Sequence, residues 1–138
     1  MQLSIDESLG FALTTTLNTL RKKFNSAIKK YDLSSEQFGV LKLIDEIGEL
    51  MPSKIAEILG RDRANITRII SSLETKDFIK KEKINAKSYK IVLTEKGYEN
   101  MKKAEKVAVE FNNKIKNLVS EEEFKCLIEK LSLIRDNF

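Results

Sequence analysis

The sequence predicts a mainly α-helical protein with one small β-hairpin, and three observations lead to this fold class. Apolar residues recur every three or four positions over most of the 138 residues, as they do along one face of an amphipathic helix. Two β-rich runs, FIKKEKI and YKIVL, lie on either side of a short polar stretch and are typical of a hairpin. Before them, two short amphipathic segments share a turn that contains Gly60. Together these features predict a helix pair and a hairpin between longer flanking helices.

The segment at residues 52–75, PSKIAEILGRDRANITRIISSLET, has the pattern of a helix-turn-helix. Each of its helices has one apolar stripe that can be buried against a common core. Gly60 ends the first helix in the left-handed backbone region, which glycine adopts without the steric cost of a β-carbon. Asp62 is a good N-cap for the second helix, whose remaining surface is polar. That surface suits phosphates and base edges, which makes nucleic acid the leading partner.

Positive charge is concentrated in this segment and in the hairpin that follows it. Residues 61–90 contain nine Lys or Arg and four Asp or Glu, a net charge of +5, whereas the whole chain carries only +4. Such a cluster is the electrostatic footprint of duplex binding. The candidate DNA contacts are Ser53, Arg61, Arg63, Asn65, Thr67, Arg68 and Ser71 in the helices, and Lys81, Lys83 and Lys87 in the hairpin. Two alternatives stay open: an ordinary helix pair with a solvated basic face, and a helical protein-interaction module that docks an acidic partner.

The flanking segments are also predicted to be helical. A helix is expected over residues 4–31, and Thr94 is expected to start a long helix with a heptad pattern of apolar residues. Capping-box spacing marks three helix starts: Ser4 with Glu7, Ser34 with Gln37, and Ser120 with Glu123. The domain organisation expected from these elements is an N-terminal helix at 1–33, a helix-turn-helix with its hairpin at 34–96, and C-terminal helices at 97–138.

The long terminal helices have too little of their own domain to cover their apolar stripes, so pairing with a second copy is the economical arrangement. The alternative is a monomer in which these helices pack on the central module. The candidate dimerisation residues are Leu9, Leu13, Met101, Ala104, Ala108, Phe111, Ile115, Leu118, Leu127 and Leu131.

Composition argues against several other classes of protein. The chain has one cysteine and no histidine, so an internal disulfide, the usual zinc ligand sets and histidine-dependent catalysis are not expected. We therefore expect no enzymatic activity, no cofactor and no metal. No apolar run approaches the roughly 20 residues of a membrane span, and the N-terminus does not resemble a signal peptide. We expect a cytoplasmic protein with no membrane partner.

Three stretches, LSSEQFGVLKLI, KIAEILGRDRANITRIISSLETKDFI and SYKIVLTEKG, resemble in order and spacing the winged helix-turn-helix of the MarR family of bacterial transcriptional regulators. The resemblance is most specific over residues 33–98. It implies a homodimer with intertwined terminal helices that binds double-stranded DNA sequence-specifically. We expect this regulator to be a repressor, and an activator is the alternative that stays open. Helix 63–75 would lie in the major groove as the recognition helix, and a small-molecule effector would release the protein from DNA.

The wing tip departs from the family pattern. The family usually has Asp-Arg-Arg before the second wing strand, where the first Arg enters the minor groove and the second pairs with the Asp. Here these positions are Asn85, Ala86 and Lys87. Lysine cannot supply the planar two-pronged donor of arginine. The wing is therefore expected to hold phosphates, which favours affinity over sequence discrimination.

The resemblance also implies a small aromatic or anionic effector in a crevice between the winged module and the dimerisation helices. The aromatic side chains expected near such a crevice are Phe11, Phe24, Tyr31 and Phe38. Aromatic residues at helical spacing are also common in a core, and that alternative stays open.

Overall fold

The computed structural model describes residues 1–138 and confirms the predicted fold class, with six α-helices and one antiparallel hairpin. The helices are α1 (Leu9–Ile28), α2 (Ser35–Ile47), α3 (Pro52–Leu59), α4 (Arg63–Thr75), α5 (Glu95–Val119) and α6 (Glu121–Asp136), and the strands are β1 (Ile79–Lys83) and β2 (Tyr89–Leu93). Short 3-10 turns occupy Ile5–Glu7 and Lys29–Tyr31. None of the helices combines the length and the apolar character needed to cross a membrane.

The chain divides into two compact units, residues 1–104 and 105–138, and the division falls within α5. The first unit has a continuous apolar core to which all of its helices and both strands contribute. Its most completely buried large side chains are Ile28, Val40, Leu41, Ile55, Ile66, Ile70, Leu73, Phe78, Ile79, Ile91 and Met101. Five of these belong to α4 or to the two residues that precede and begin β1, so the core fixes the second helix of the pair together with the hairpin.

The first helix is shorter than the predicted range of 4–31. It begins at Leu9, because the Ser8 hydroxyl accepts a hydrogen bond from the Phe11 amide at 3.2 Å. The Ser4 hydroxyl caps only the short 3-10 turn, by accepting from the Asp6 amide. The extended backbone of Ser8 separates this turn from α1. The predicted start was therefore wrong, because Ser8 and not Ser4 is the N-cap of α1.

The start of α2 agrees with the sequence, and its cap also holds the end of α4. The Ser34 hydroxyl accepts from the Gln37 amide, and the Gln37 side chain accepts in return from the Ser34 amide, which completes the predicted capping box. The Gln37 side chain also donates to Ser72 Oγ and accepts from Lys76 Nζ, each at 2.9 Å. One amide side chain therefore fixes the beginning of α2 against the last two turns of α4.

The turn between α3 and α4 and the ends of both helices are as predicted. Gly60 has a φ of 63° and its amide bonds back to α3, as a helix C-cap requires. The Asp62 carboxylate accepts from the Asn65 amide at 2.8 Å and caps α4. These local contacts set the angle at which α4 leaves the turn.

The hairpin is anchored to the start of α5 by a close backbone approach. Ile79 lies opposite Leu93 in the antiparallel register, and a β-carbon at Gly97 would overlap the Phe78 carbonyl. The Thr94 hydroxyl donates to the Asp77 carbonyl at 2.7 Å and accepts from the Gly97 amide at 3.0 Å. Glycine is required here because the helix passes directly over the strand's backbone.

The second unit contains the end of α5 and the whole of α6. The Ser120 hydroxyl accepts from the Glu123 amide at 3.1 Å, so α6 has the predicted serine cap. Lys116 Nζ lies 5.3 Å from the centre of the Phe124 ring. No residue of α6 is buried in the single chain.

Candidate nucleic-acid interface

The two faces of α4 have opposite characters. Ile66, Ile69, Ile70 and Leu73 are buried in the core of the first unit. The opposite face is exposed and carries no large apolar residue. Its exposed polar side chains are Arg63, Thr67, Arg68 and Ser71. A helix anchored along one face and polar along the other can be inserted into a groove without exposing its core.

Four of the nine basic side chains between residues 61 and 90 are already held by carboxylates. Arg61 pairs with Glu36 on α2, although the sequence placed it among the DNA contacts. Lys81, another predicted DNA contact, lies 3.4 Å from Glu74 and over the Tyr89 ring. The other two pairs are Lys76 with Asp32, and Lys90 with Glu49 and Glu82. These ion pairs lower the number of cations that are available to phosphates.

Lys90 lies on β2, and its amine donates to the carboxylate of Glu49, the residue before Leu50. Its side-chain hydrogen bond to Glu49 raises the pKa of the Lys90 amine above its ordinary value, and nearby Glu82 adds to the effect. Leu50 itself exchanges backbone hydrogen bonds with Ile91 and extends the hairpin by one bridge. Lys90 therefore stabilises the base of the hairpin and remains charged at neutral pH.

The other five basic side chains are exposed and make no ion pair. They are Arg63 and Arg68 on α4, Lys80 and Lys83 on β1, and Lys87 at the hairpin tip. Lys80 belongs to the charge cluster but was not among the predicted DNA contacts. The structure adds it as a candidate, because its side chain is exposed on β1 and makes no ion pair. The unpaired charge is thus shared between one helix face and the hairpin beside it.

Two other predicted contacts on α4, Thr67 and Asn65, differ in the hydrogen bonding of their side chains. The Thr67 hydroxyl donates to the Arg63 carbonyl at 2.8 Å, which leaves its oxygen as an acceptor. Asn65 is half-buried, and its side-chain oxygen is buried without a partner. Ser53, in the first turn of α3, is exposed.

The hairpin tip is braced by an asparagine. Asn85 Oδ1 accepts from the Lys87 amide at 2.9 Å and from the Ser88 amide at 3.1 Å. Ala86 and Lys87 are exposed beyond this turn. A local amide bridge therefore orders the tip in place of the Asp and Arg pair that the family usually has.

The predicted dimerisation residues divide into two groups. Met101 and Ala104 are fully buried in the core of the first unit, so they pack within one chain. Leu9 and Leu13 on α1 are 50% and 43% exposed, and Leu127 on α6 is 49% exposed. Of the remaining predicted positions, Leu118 is exposed, and Ala108, Phe111, Ile115 and Leu131 are half-buried.

The four aromatic residues named for an effector crevice are not brought together as a group. Phe24 and Phe38 pack edge to face, with ring centres 5.4 Å apart. Phe11 is exposed and lies between three and four helical turns before Phe24, the next aromatic residue on α1. Tyr31 lies under Lys30, and its carbonyl accepts from Asn100.

Comparison with known proteins identifies the family. Residues 33–86, which span α2 to the hairpin tip, match the MarR family. The match covers the helix-turn-helix and most of the hairpin. Two curated relatives that match almost the full length of the chain, from Clostridioides difficile and Staphylococcus aureus, are HTH-type transcriptional regulators.

Relatives and solved structures resemble nearly the whole of this chain. It is 26% identical to the HTH-type transcriptional regulator SarZ of Staphylococcus aureus, over 97% of this chain and 91% of SarZ. The S. aureus MepR–DNA complex has a TM-score of 0.86 at 18% identity, over 94% of this chain and 97% of MepR. The transcriptional repressor CouR bound to p-coumaroyl-CoA also has a TM-score of 0.86, at 24% identity, over 100% of this chain and 99% of CouR. The resemblance to these two structures shows the shared fold.

Proposed function

We propose that this protein is a homodimeric, sequence-specific repressor that binds double-stranded DNA in the cytoplasm and is released by a small-molecule effector. The observation that carries the proposal is the placement of the unpaired cations. Arg63 and Arg68 lie on the exposed face of α4, and three unpaired lysines lie on the neighbouring hairpin. Together they place five uncompensated positive charges on and beside a polar helix face.

The proposed division of labour follows from the chemistry of the two side chains. Arginine can donate two parallel hydrogen bonds to a guanine in the major groove, so Arg68 is proposed to read a base. Lys83 and Lys87 are proposed to bind phosphates, because a lysine amine is a point charge without base-specific geometry. Arg61 and Lys81, held by Glu36 and Glu74, are proposed to orient the turn and the hairpin rather than to touch DNA.

The dimer is proposed to form through the terminal helices. The large apolar side chains on α1 and α6 that remain exposed in one chain are Phe11 and a series of leucines and isoleucines at helical spacing. A contiguous exposed apolar surface is typical of an interface between proteins. Two copies would present two recognition helices to successive major grooves.

Repression and release by an effector are supported by a structural neighbour, CouR. CouR is a transcriptional repressor that has been solved both with a 23-mer DNA duplex and with p-coumaroyl-CoA. A purified transcription system with a promoter that contains the selected DNA site tests the sign of regulation. Repression lowers the transcript yield as the protein saturates the site, whereas a rise in yield would show an activator.

A salt titration tests the DNA-binding surface. The duplex is first selected by the purified protein from a random pool, and its binding constant is then measured from about 50 to 200 mM salt. Contacts to roughly six to ten phosphates per dimer predict a slope of log K against log salt of about −5 to −9. A slope near zero would contradict duplex binding and favour a module that docks an acidic protein.

Two substitutions and one control assign the roles within this surface. Arg68→Ala is expected to weaken the selected duplex by about 1 to 3 kcal/mol and to relax the preference at one base pair. Lys87→Ala is expected to weaken all duplexes alike and to lower the salt slope by about one. Lys103→Ala, which removes an exposed lysine of α5, should change neither. If Lys87→Ala abolishes sequence preference and Arg68→Ala does not, the two roles are reversed.

A further inference from the structure

A second concentration of positive charge lies outside the proposed DNA-binding surface, on α1 and the 3-10 turn that follows it. Residues 8–31 contain five Lys or Arg and no Asp or Glu, so their net charge of +5 equals that of residues 61–90. All five basic residues fall within residues 21–30. Because the whole chain carries only +4, the rest of the chain is net negative, and positive charge collects in these two segments.

Four of the five basic side chains have no carboxylate partner. Arg21 is the exception, since its Nη1 lies 3.8 Å from Glu36 Oε1 on α2. The nearest acid after the segment, Asp32, pairs with Lys76 at the end of α4. The remaining four are exposed lysines that make no ion pair, and they are Lys22, Lys23, Lys29 and Lys30.

These four lysines share one face of the helix with Ser26, and we call this set the basic face. At about 100° per residue, its five positions fall within roughly 120° of the helix circumference. The opposite side of the same segment is packed, because Ile28 is 0% exposed and Phe24 lies edge to face on Phe38. From Lys22 to Lys30 the basic face extends about 12 Å, the length of three to four base pairs at about 3.4 Å each.

The basic face is separate from the apolar stripe that α1 offers to a second copy. Around the helix, the centres of the two faces lie roughly 130° apart. Pairing through the stripe therefore leaves the lysines accessible. The stripe consists of the exposed residues Leu9, Leu13, Leu17 and Leu20.

The chemistry of the basic face fits a phosphate backbone better than a protein or a membrane. It has no apolar or aromatic side chain, whereas a protein interface has an apolar core and a membrane-bound helix exposes an apolar face beside its lysines. Lysine amines and serine hydroxyls are donors that proteins use to bind phosphates. A surface cleft of about 460 Å³ has room for a phosphate group, since a water molecule occupies only about 30 Å³. Its lining residues are Thr19, Lys22, Lys23 and Ser26.

The end of α1 is held to the helices that carry the proposed DNA-binding surface. Lys76 Nζ, at the C-cap of α4, donates to the Asp32 carbonyl at 2.7 Å. Asn25 Oδ1 on α1 accepts from the Ser35 amide at the start of α2 at 2.6 Å. The basic face therefore keeps a fixed position relative to α4, as simultaneous contact with one duplex requires.

We propose that the basic face binds the phosphate backbone of the duplex that flanks the site bound by α4 and the hairpin. The inference rests on the proposed function and adds a second contact with the same DNA molecule. Each lysine neutralises one phosphate and reads no base, so this contact adds affinity without sequence preference. Affinity then depends on the length of the duplex beyond the selected site.

Binding to two duplexes tests the proposal with the full-length protein. The short duplex is trimmed to the base pairs that show sequence preference, and the long duplex extends it by about one helical turn, roughly ten base pairs, on each side. We expect the long duplex to bind at least about tenfold more tightly at 50 mM salt. We also expect its slope of log K against log salt to be steeper, by about 0.9 for each added phosphate contact.

The double variant Lys22→Gln with Lys23→Gln should remove part of this difference. With two lysines lost from each chain of a dimer, the slope on the long duplex should become shallower by about two to four units, whereas binding to the short duplex should not change. Lys103→Gln with Lys106→Gln, which removes two exposed lysines of α5, is the matched control and should leave both duplexes unaffected. Glutamine is a good helix former, so both double variants should unfold at the same temperature as the unsubstituted protein.

The outcomes separate this inference from the proposed function. A protein that binds neither duplex contradicts the proposed function, whereas one that binds both duplexes with equal affinity and slope contradicts this inference alone. An equal loss on both duplexes in the α1 double variant would overturn the assignment to flanking DNA. Loss of the dimer in that variant, measured by sedimentation, would place the lysines in the interface and overturn the proposal. If duplex length has no effect and the same variant loses binding to poly-glutamate, the basic face belongs to an acidic protein partner instead.

Discussion

The winged module and the terminal helices have the same kind of apolar periodicity but bury it differently. In α4, Ile66 and Leu73 are 0% exposed, because α2, α3 and the hairpin surround them within one chain. In α6, Leu127 and Ile128 are about half exposed, and no residue of that helix is buried. An amphipathic stripe therefore indicates that one face of a helix will be covered, but it does not indicate which surface covers that face.

The largest effect is expected from a charge on the exposed stripe. Leu127→Asp should convert the dimer to monomer, because an unpaired carboxylate buried at an interface costs several kcal/mol. The fold of the chain should survive, since the side chain is half exposed before pairing. Sedimentation equilibrium measures the change, and Lys130→Asp on the same helix is the control for added charge. A dimer that persists in Leu127→Asp would show that this stripe is not the interface.

The opposite outcome is expected for a truncation in the winged module. Leu73→Ala should lower the free energy of unfolding by about 2 to 5 kcal/mol, because it leaves a cavity in a packed core. It should not change the association of the chains. Urea denaturation of Leu73→Ala in the Leu127→Asp background measures the loss without a contribution from dissociation. A loss below about 1 kcal/mol would mean that the core of the winged module does not stabilise the chain independently of the dimer.

A smaller effect is expected where the hairpin meets α5. Gly97→Ala should lower the free energy of unfolding by about 1 to 3 kcal/mol, since its β-carbon would overlap the Phe78 carbonyl. Gly39→Ala is the matched control in another helix of the same unit, where the added carbon meets no atom within 4 Å. It should be neutral or raise stability by up to about 1 kcal/mol, since alanine is the better helix former. Equal stability of the two variants would show that α5 can shift away from β1.

The smallest effect is expected from backbone strain in the module. Asp77 has a φ of 63°, which costs an L-residue free energy and costs glycine none. Asp77→Gly should raise the free energy of unfolding by less than about 1 kcal/mol, since glycine also loses more chain entropy on folding. Thermal unfolding of Asp77→Gly and Asp77→Ala side by side measures the strain. Alanine should be the less stable of the two, and the reverse order would show that the Asp77 side chain carries the effect.

The predictions that the structure confirms depend on residues within a few positions of one another. Gly60 ends α3, Asp62 caps α4, and Ser34 with Gln37 caps α2, and each contact spans three or four residues. Helix starts and turns are local because one backbone amide and one side chain suffice to make them. The same local character explains the one error of this kind, since Ser4 and Ser8 both offer a cap and sequence spacing alone favours Ser4.

Contacts between distant residues were decided only by the tertiary structure. The sequence placed Arg61 among the candidate DNA contacts, and the structure pairs it with Glu36, 25 residues earlier. It also assigned Met101 and Ala104 to a dimer seam, but the first unit buries both completely. The physical reason is that a charge or an apolar side chain has many suitable partners in a chain, and the geometry of packing determines which one is within reach. The sequence by itself thus determined the helices, the hairpin and the charged face. The tertiary structure decided which basic side chains on that face pair with carboxylates and which make no ion pair.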